Sequence, residues 1–257
     1  TRFRVGEADT LTINSVISST GTTDGVIEFS NIDCSGTSTI DLAGSNTSNQ
    51  IFRVQGSTTL RLTNALALQN AQVEPNGGTI EFDSGVGGSF TFGSLQGDNG
   101  LVIQDEISGA VALTIGNNNL SDTYSAALSD NGSGGGSLIK LGTGTQTLSG
   151  NNSYSGTTAV NGGRLDIEGT NTSAIIVGAS GILGGDAGST NAGITFSAGS
   201  TVGINNKASA SALAVTGTSI LNTTAGGINI LLDQGRNLAA TEVINLFDVT
   251  GGSWTGS

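Results

Sequence analysis

Residues 138–167 read Leu-Ile-Lys-Leu-Gly-Thr-Gly-Thr-Gln-Thr-Leu-Ser-Gly-Asn-Asn-Ser-Tyr-Ser-Gly-Thr-Thr-Ala-Val-Asn-Gly-Gly-Arg-Leu-Asp-Ile. Short apolar–polar alternations (Leu138/Leu141, Thr147/Leu148, Ala159/Val160, Leu165/Ile167) are separated by Gly and Asn, the residues that turn a chain. The pattern is strand–turn–strand–turn, and no segment is long enough for a helix.

The rest of the chain repeats this organisation at a fixed period. Ile40-Asp41-Leu42, Leu60-Arg61-Leu62, Ile80-Glu81-Phe82 and Leu101-Val102-Ile103 recur every twenty or twenty-one residues. A second series, Phe52-Arg53-Val54, Ala71-Gln72-Val73, Phe90-Thr91-Phe92 and Val111-Ala112-Leu113, is interleaved at nineteen to twenty-one. Two ladders sharing one period, out of phase, are the mark of a coil whose turns stack. In such a coil parallel strands lie ~4.8 Å apart and alternate side chains point inward. Ile, Leu, Phe and Val take the inward positions. Asp41, Arg61 and Glu81 take the outward ones, so opposite charges stack.

Asn76-Gly77, Asn99-Gly100, Asn131-Gly132 and Asn161-Gly162 are the predicted corners. The single Pro fits too, because interior ladder strands need every backbone N–H. Parallel crossovers are right-handed. The sequence therefore predicts an all-β, right-handed parallel β-helix (β-solenoid) of about 20 residues per turn over 1–257. That length gives roughly twelve or thirteen turns and a rod roughly 60 Å long. An irregular loop is expected at 121–137, where Ser129 to Gly136 breaks the strand pattern. Beyond it the alternation resumes at Ile175-Ile176-Val177, Ile194 and Phe196, Val202 and Ile204, Leu213 and Val215, and Ile228 to Leu232, closing with Val243 to Val249.

Residues 138–167 also resemble the autotransporter-associated β-strand repeat, or passenger-associated transport repeat, of bacterial surface proteins. The matching residues are Lys140-Leu141-Gly142-Thr143-Gly144, then Leu148-Ser149-Gly150-Asn151-Asn152 with Tyr154, Gly156 and Thr158, then Asn161-Gly162-Gly163 with Leu165. A weaker likeness extends upstream through Leu113 to Asn119 and Asp130-Asn131-Gly132. The closing run with Gly251 to Gly256 resembles the tail that often follows such repeats. The resemblance implies a passenger secreted across an outer membrane and displayed outside the cell, with folding helping to drive export. It also implies that the sequence is a processed chain or a segment of a longer one, any signal peptide or outer-membrane barrel lying elsewhere.

Composition narrows the function. The chain has 257 residues with 42 Gly, one Cys, no His and no Met, and a net charge of −12. The eight basic residues are scattered, so nucleic acid and anionic membrane surfaces are not expected partners. No run approaches the ~20 apolar residues of a spanning helix. Without His there is no Ser–His–Asp or Cys–His catalysis and no ordinary zinc site. Cys34 cannot form an internal disulfide and reads as a small buried hydrophobe, with an intermolecular bridge as the alternative. Gly184-Gly185-Asp186 lacks the remainder of a calcium-binding nonapeptide.

Paired carboxylates are the remaining candidates for chemistry. Glu81 and Asp83 share a strand face, with Asp41 and Arg61 on nearby turns, so an acid/base pair or calcium site is conceivable there. A solvated charged face is the simpler reading. Asp105 and Glu106 are adjacent and, unless a turn intervenes, point to opposite faces. Asp98-Asn99-Gly100 and Asp130-Asn131-Gly132 offer oxygen ligands but read as turns. Phe90 and Phe92 alternate like core residues; with Tyr124, Tyr154 and Trp254 they are too dispersed for a sugar-stacking platform.

The expectation is a non-enzymatic extracellular stalk or adhesive passenger with no catalytic, cofactor-binding or metal residues and no cofactor. Cell-surface components or glycans are its expected partners. One alternative is a self-assembling filament or sheath subunit joined head to tail through exposed β-helix ends, with Thr1 to Val5 able to pair with another subunit. The other is a carbohydrate-active β-helical enzyme using Glu81 and Asp83.

Overall fold

The computed structural model describes residues 1–6, 8–19, 25–31, 36–132, 135–185, 188–190, 192–204, 213–215, 219–221, 229–232, 247–249 and 254–256. Cys34, Asp186 and residues 243–246 lie outside them. Twelve strands, from Arg2–Val5 to Trp254–Gly256, stack in one sheet. A second face begins as a four-stranded sheet of Thr10–Ile13, Ser38–Leu42, Thr58–Leu62 and Thr79–Phe82. A six-stranded sheet begins at Asp122–Tyr124, where Tyr124 bridges Gly97 just past the main-sheet strand Ser89–Leu95, and a four-stranded sheet begins at Thr170–Asn171. Strand pairs in these sheets are parallel. Among the described residues the only helical turn is the 3-10 segment Ser84–Val86. The fold is a parallel β-solenoid.

The core is the stack of inward side chains. Phe3, Phe29 and Phe52 lie above one another with centroids 5.5 and 5.6 Å apart. Phe82 meets Phe90 at 4.8 Å and Phe92 at 6.1 Å, so both predicted core aromatics are core. Aromatic pairs at these separations add to the benefit of removing their surface from water.

The first predicted ladder holds to the residue over three turns: Ile40 faces Leu60 and Leu60 faces Ile80, twenty residues apart at each step. At the fourth turn it does not. Phe82 bridges Asp105, two residues beyond Ile103, while Leu101 pairs with Leu128. The second ladder is displaced in the same way. Phe52 faces Val73, not Ala71, and Phe90 faces Leu113, not Val111. Both corrections are slips of two residues. Such a slip keeps every inward side chain inward, so the apolar pattern alone cannot exclude it. The nine-residue strand Leu68–Asn76 takes it up at an irregularity between Leu68 and Gln72.

At the predicted corners Gly77 (φ 83°), Asn131 (φ 51°) and Gly132 (φ 78°) are left-handed. At the other two corners the left-handed residues are Gly97 and Gly163, rather than Gly100 and Gly162. Two short strands, Asp122–Tyr124 and Leu128–Ser129, lie within 121–137, where the sequence predicts an irregular loop. Asp130 next to them is fully buried.

Candidate functional site

The carboxylates considered for chemistry come together around the 3-10 turn. Asp41, Arg61 and Glu81 stack in register. Arg61 donates two parallel hydrogen bonds to Asp41, Nε to Oδ1 at 2.8 Å and Nη2 to Oδ2 at 2.9 Å. Its Nε lies 4.0 Å from Glu81 Oε1. Burial, with Glu106, Asp41 and Asp83 nearby, pushes the Glu81 carboxyl up, against the opposing pull of Arg61.

The other acids here are engaged in shaping the chain. Asp83 caps the 3-10 turn by accepting from Gly85 N at 2.9 Å. Glu106 accepts from the Ser84 hydroxyl (2.6 Å) and the Ser84 amide (2.9 Å), and those bonds lower its pKa. Asp105 accepts from Ile107 N at 3.1 Å and Gly109 N at 2.5 Å, closing a tight turn. Among the described residues no group of three or more His, Cys, Asp or Glu side chains is arranged to hold a metal ion. What the cluster does is set register and tie turns.

A second charge stack was not legible as such in the sequence. Arg2 faces Glu28, Glu28 faces Arg53 and Arg53 faces Glu74 on the main sheet. Arg2 Nε lies 3.2 Å from Glu28, and Arg53 Nη2 lies 2.9 Å from Glu74. Each such partly exposed pair adds about 0.2–1 kcal/mol, which is a register device more than a source of stability.

The densest polar chemistry lies inside the turns formed by 138–167. Lys140 occupies an inward row, Ile115–Lys140–Val160–Val177–Phe196, and is fully buried. Its Nζ donates to the carbonyls of Leu141 (2.6 Å) and Gly162 (3.3 Å) at the corner. Burial pushes its pKa down to about 8. Buried Tyr154 shares hydrogen bonds with Thr158, Thr158 with Ser173, and Ser173 with Asn171, a chain linking two successive turns. Asn152 donates to the Gly150 and Thr170 carbonyls (3.2 Å each) and accepts from Leu128 N at 3.0 Å.

Asp130 accepts from the amides of Gly132 (3.1 Å), Gly136 (3.1 Å) and Ser155 (2.8 Å), and from the Ser155 hydroxyl. The Asp130-Asn131-Gly132 turn is there as read, and with both oxygens so engaged Asp130 is also a stitch between turns. Burial pushes its pKa up, but the four hydrogen bonds outweigh burial and the net shift is downward.

The glycines of the stretch are explained by closeness to the turn before. A Cβ on Gly144 would lie 2.0 Å from the Leu120 oxygen, and one on Gly150 would lie 2.0 Å from the Ala126 oxygen. Any side chain there would force the turns apart.

Sequence reasoning missed Lys140, Gln146, Asn152 and the Tyr154–Thr158–Ser173 chain as interior groups. The signal was available for Lys140, which sits on the apolar parity of Leu138 and Val160. For Asn152 and Ser173 no periodicity points inward.

No curated protein and no solved structure gives a significant match to this chain. The β-solenoid and its repeat fit an autotransporter passenger, a class of secreted or surface proteins. Residues 138–167, whose glycines and buried polar groups build these close-packed turns, match the family model of the passenger-associated-transport repeat.

Proposed function

We propose that this chain is a non-enzymatic part of an extracellular bacterial solenoid that serves as a structural stalk or adhesive passenger. The observation that carries the reading is the fate of the repeat's polar residues. Lys140, Gln146, Asn152, Tyr154 and Thr158 are buried in bonds within and between turns, which supports reading the motif as a builder of rungs. Of the acids nearest to an enzyme-like arrangement, Asp83 is tied up in a cap, Asp105 in a turn and Asp41 in a bidentate pair, and Glu81 stands 4.0 Å from Arg61 Nε. Stacking such rungs is a nearest-neighbour process, favourable turn by turn once begun. That suits a rod held away from a surface, with partners among cell-surface components or glycans.

The test uses cells producing the native full-length polypeptide. Antibodies to this segment are expected to label intact cells, and external protease is expected to release it as a rod visible by electron microscopy. Labelling only after the cells are made permeable would overturn the reading.

A further inference from the structure

We propose that Asn76 is a self-modification site, the position where this solenoid deamidates ahead of its other Asn-Gly corners. The chain has Asn-Gly pairs at 76–77, 99–100, 131–132 and 161–162. In such a pair the glycine amide nitrogen attacks the asparagine Cγ and gives up its proton to water or hydroxide. The Cγ–Nδ2 bond breaks, ammonia leaves and a cyclic imide remains. Water then opens either imide carbonyl, giving aspartate or isoaspartate. The reaction needs a free glycine N–H and an asparagine side chain free to turn towards it.

Three of the corners deny one requirement or the other. Gly162 N donates to the Lys140 oxygen at 3.2 Å, beside the Asn161 N bond to the same oxygen at 2.9 Å. Gly132 N donates to Asp130 Oδ1 at 3.1 Å, and the Asn131 side chain donates to Gln104 at 3.2 Å. Asn99 donates from Nδ2 to the Gly78 oxygen at 3.2 Å while its own carbonyl accepts from Tyr124 at 2.6 Å.

Asn76 differs. It is exposed at the end of Leu68–Asn76, followed by exposed Gly77 at φ 83°. Contact with the neighbouring turn at Gln55 runs through Gly78 N to the Val54 oxygen at 3.2 Å. Among the described residues, neither the Gly77 N–H nor the Asn76 side chain is held in a hydrogen bond. Fold-imposed hydrogen bonds slow this chemistry at three corners and leave it open at one.

The product matters locally. A new carboxylate would stand two residues from Glu74, which is already shared by Arg53 and Gln96. An isoaspartate would lengthen the backbone beside the Gly78–Val54 bond.

The experiment incubates the folded protein at mildly alkaline pH and follows each Asn-Gly peptide by mass spectrometry, reading the mass gain of amide-to-acid conversion and isoaspartate content. The Asn76 peptide should convert first, and Asn76→Gln should abolish that conversion. In denaturant the four peptides should react at similar rates, showing that the fold sets the order. Earlier conversion at Asn99, Asn131 or Asn161 in the folded protein, or equal rates at all four, would overturn the proposal.

Discussion

The side chain of Gln146 completes the main-chain hydrogen bonding of Leu95. Its Nε2 donates to the Leu95 carbonyl at 2.8 Å and its Oε1 accepts from the Leu95 amide at 3.2 Å, across 51 residues of sequence. Gln146 itself faces Asp122 in the strand stack, so its amide reaches past one turn to serve the turn beyond. It does so where the six-stranded sheet begins, with Tyr124 bridging Gly97 just beyond Leu95.

Gln146→Leu keeps the approximate volume but strands a buried N–H and a buried C=O. Each unpaired group costs about 1–3 kcal/mol, so a loss of about 2–4 kcal/mol is expected. Denaturant unfolding of the whole chain measures it. A variant within error of the parent would show that Leu95 finds other partners.

Lys140 gives the solenoid a stability that rises in mild alkali. Its pKa falls from 10.5 to about 8 on burial, so between those values the unfolded chain holds a proton that the folded chain has released. Stability therefore climbs with pH across that window. Lys140→Met should remove this slope, although it also leaves the Leu141 and Gly162 carbonyls without their donor. Buried Tyr124 and Tyr154 have raised pKa values and act in the opposite sense at higher pH. The comparison is accordingly made as the difference between parent and variant, from denaturation midpoints at pH values across the window.

Asp130 confers a dependence of the same sign, in the acid range. Its folded pKa lies below the ordinary 3.8, so its contribution is complete above that value and is lost as the pH falls through the folded pKa. Asp130→Asn loses a charged acceptor for three amides and a hydroxyl and should cost about 2 kcal/mol at neutral pH. The parent and variant curves should converge in acid. Parallel curves down to the lowest pH would refute the assignment.

Close approach, rather than turn geometry, fixes Gly150. Gly150→Ala sets a methyl 2.0 Å from the Ala126 oxygen and should cost about 3 kcal/mol or more. Gly132→Ala meets nothing within 4 Å and bears only the strain of φ 78°, about 1–2 kcal/mol. Thermal or denaturant unfolding of the two variants side by side should keep that order.

What the sequence determined by itself was the period and the parity. Ile40, Leu60 and Ile80 recur at the length of one coil, Asp41, Arg61 and Glu81 alternate with them, and 138–167 carries enough fixed Gly and Asn to be read as one repeat. These features are legible because side-chain direction in a strand has period two and each turn repeats the turn before it. The tertiary structure decided two further things. One is register to the residue, Phe52 over Val73 rather than Ala71, because a slip of two leaves parity unchanged and only packing and the bulge in Leu68–Asn76 distinguish the alternatives. The other is which polar groups go inside. Lys140, Asp130, Gln146 and Asn152 look like surface residues in a polar sequence, and each is buried because carbonyls and amides of neighbouring turns need a partner there. Those partners lie up to 51 residues away, beyond the reach of any local pattern.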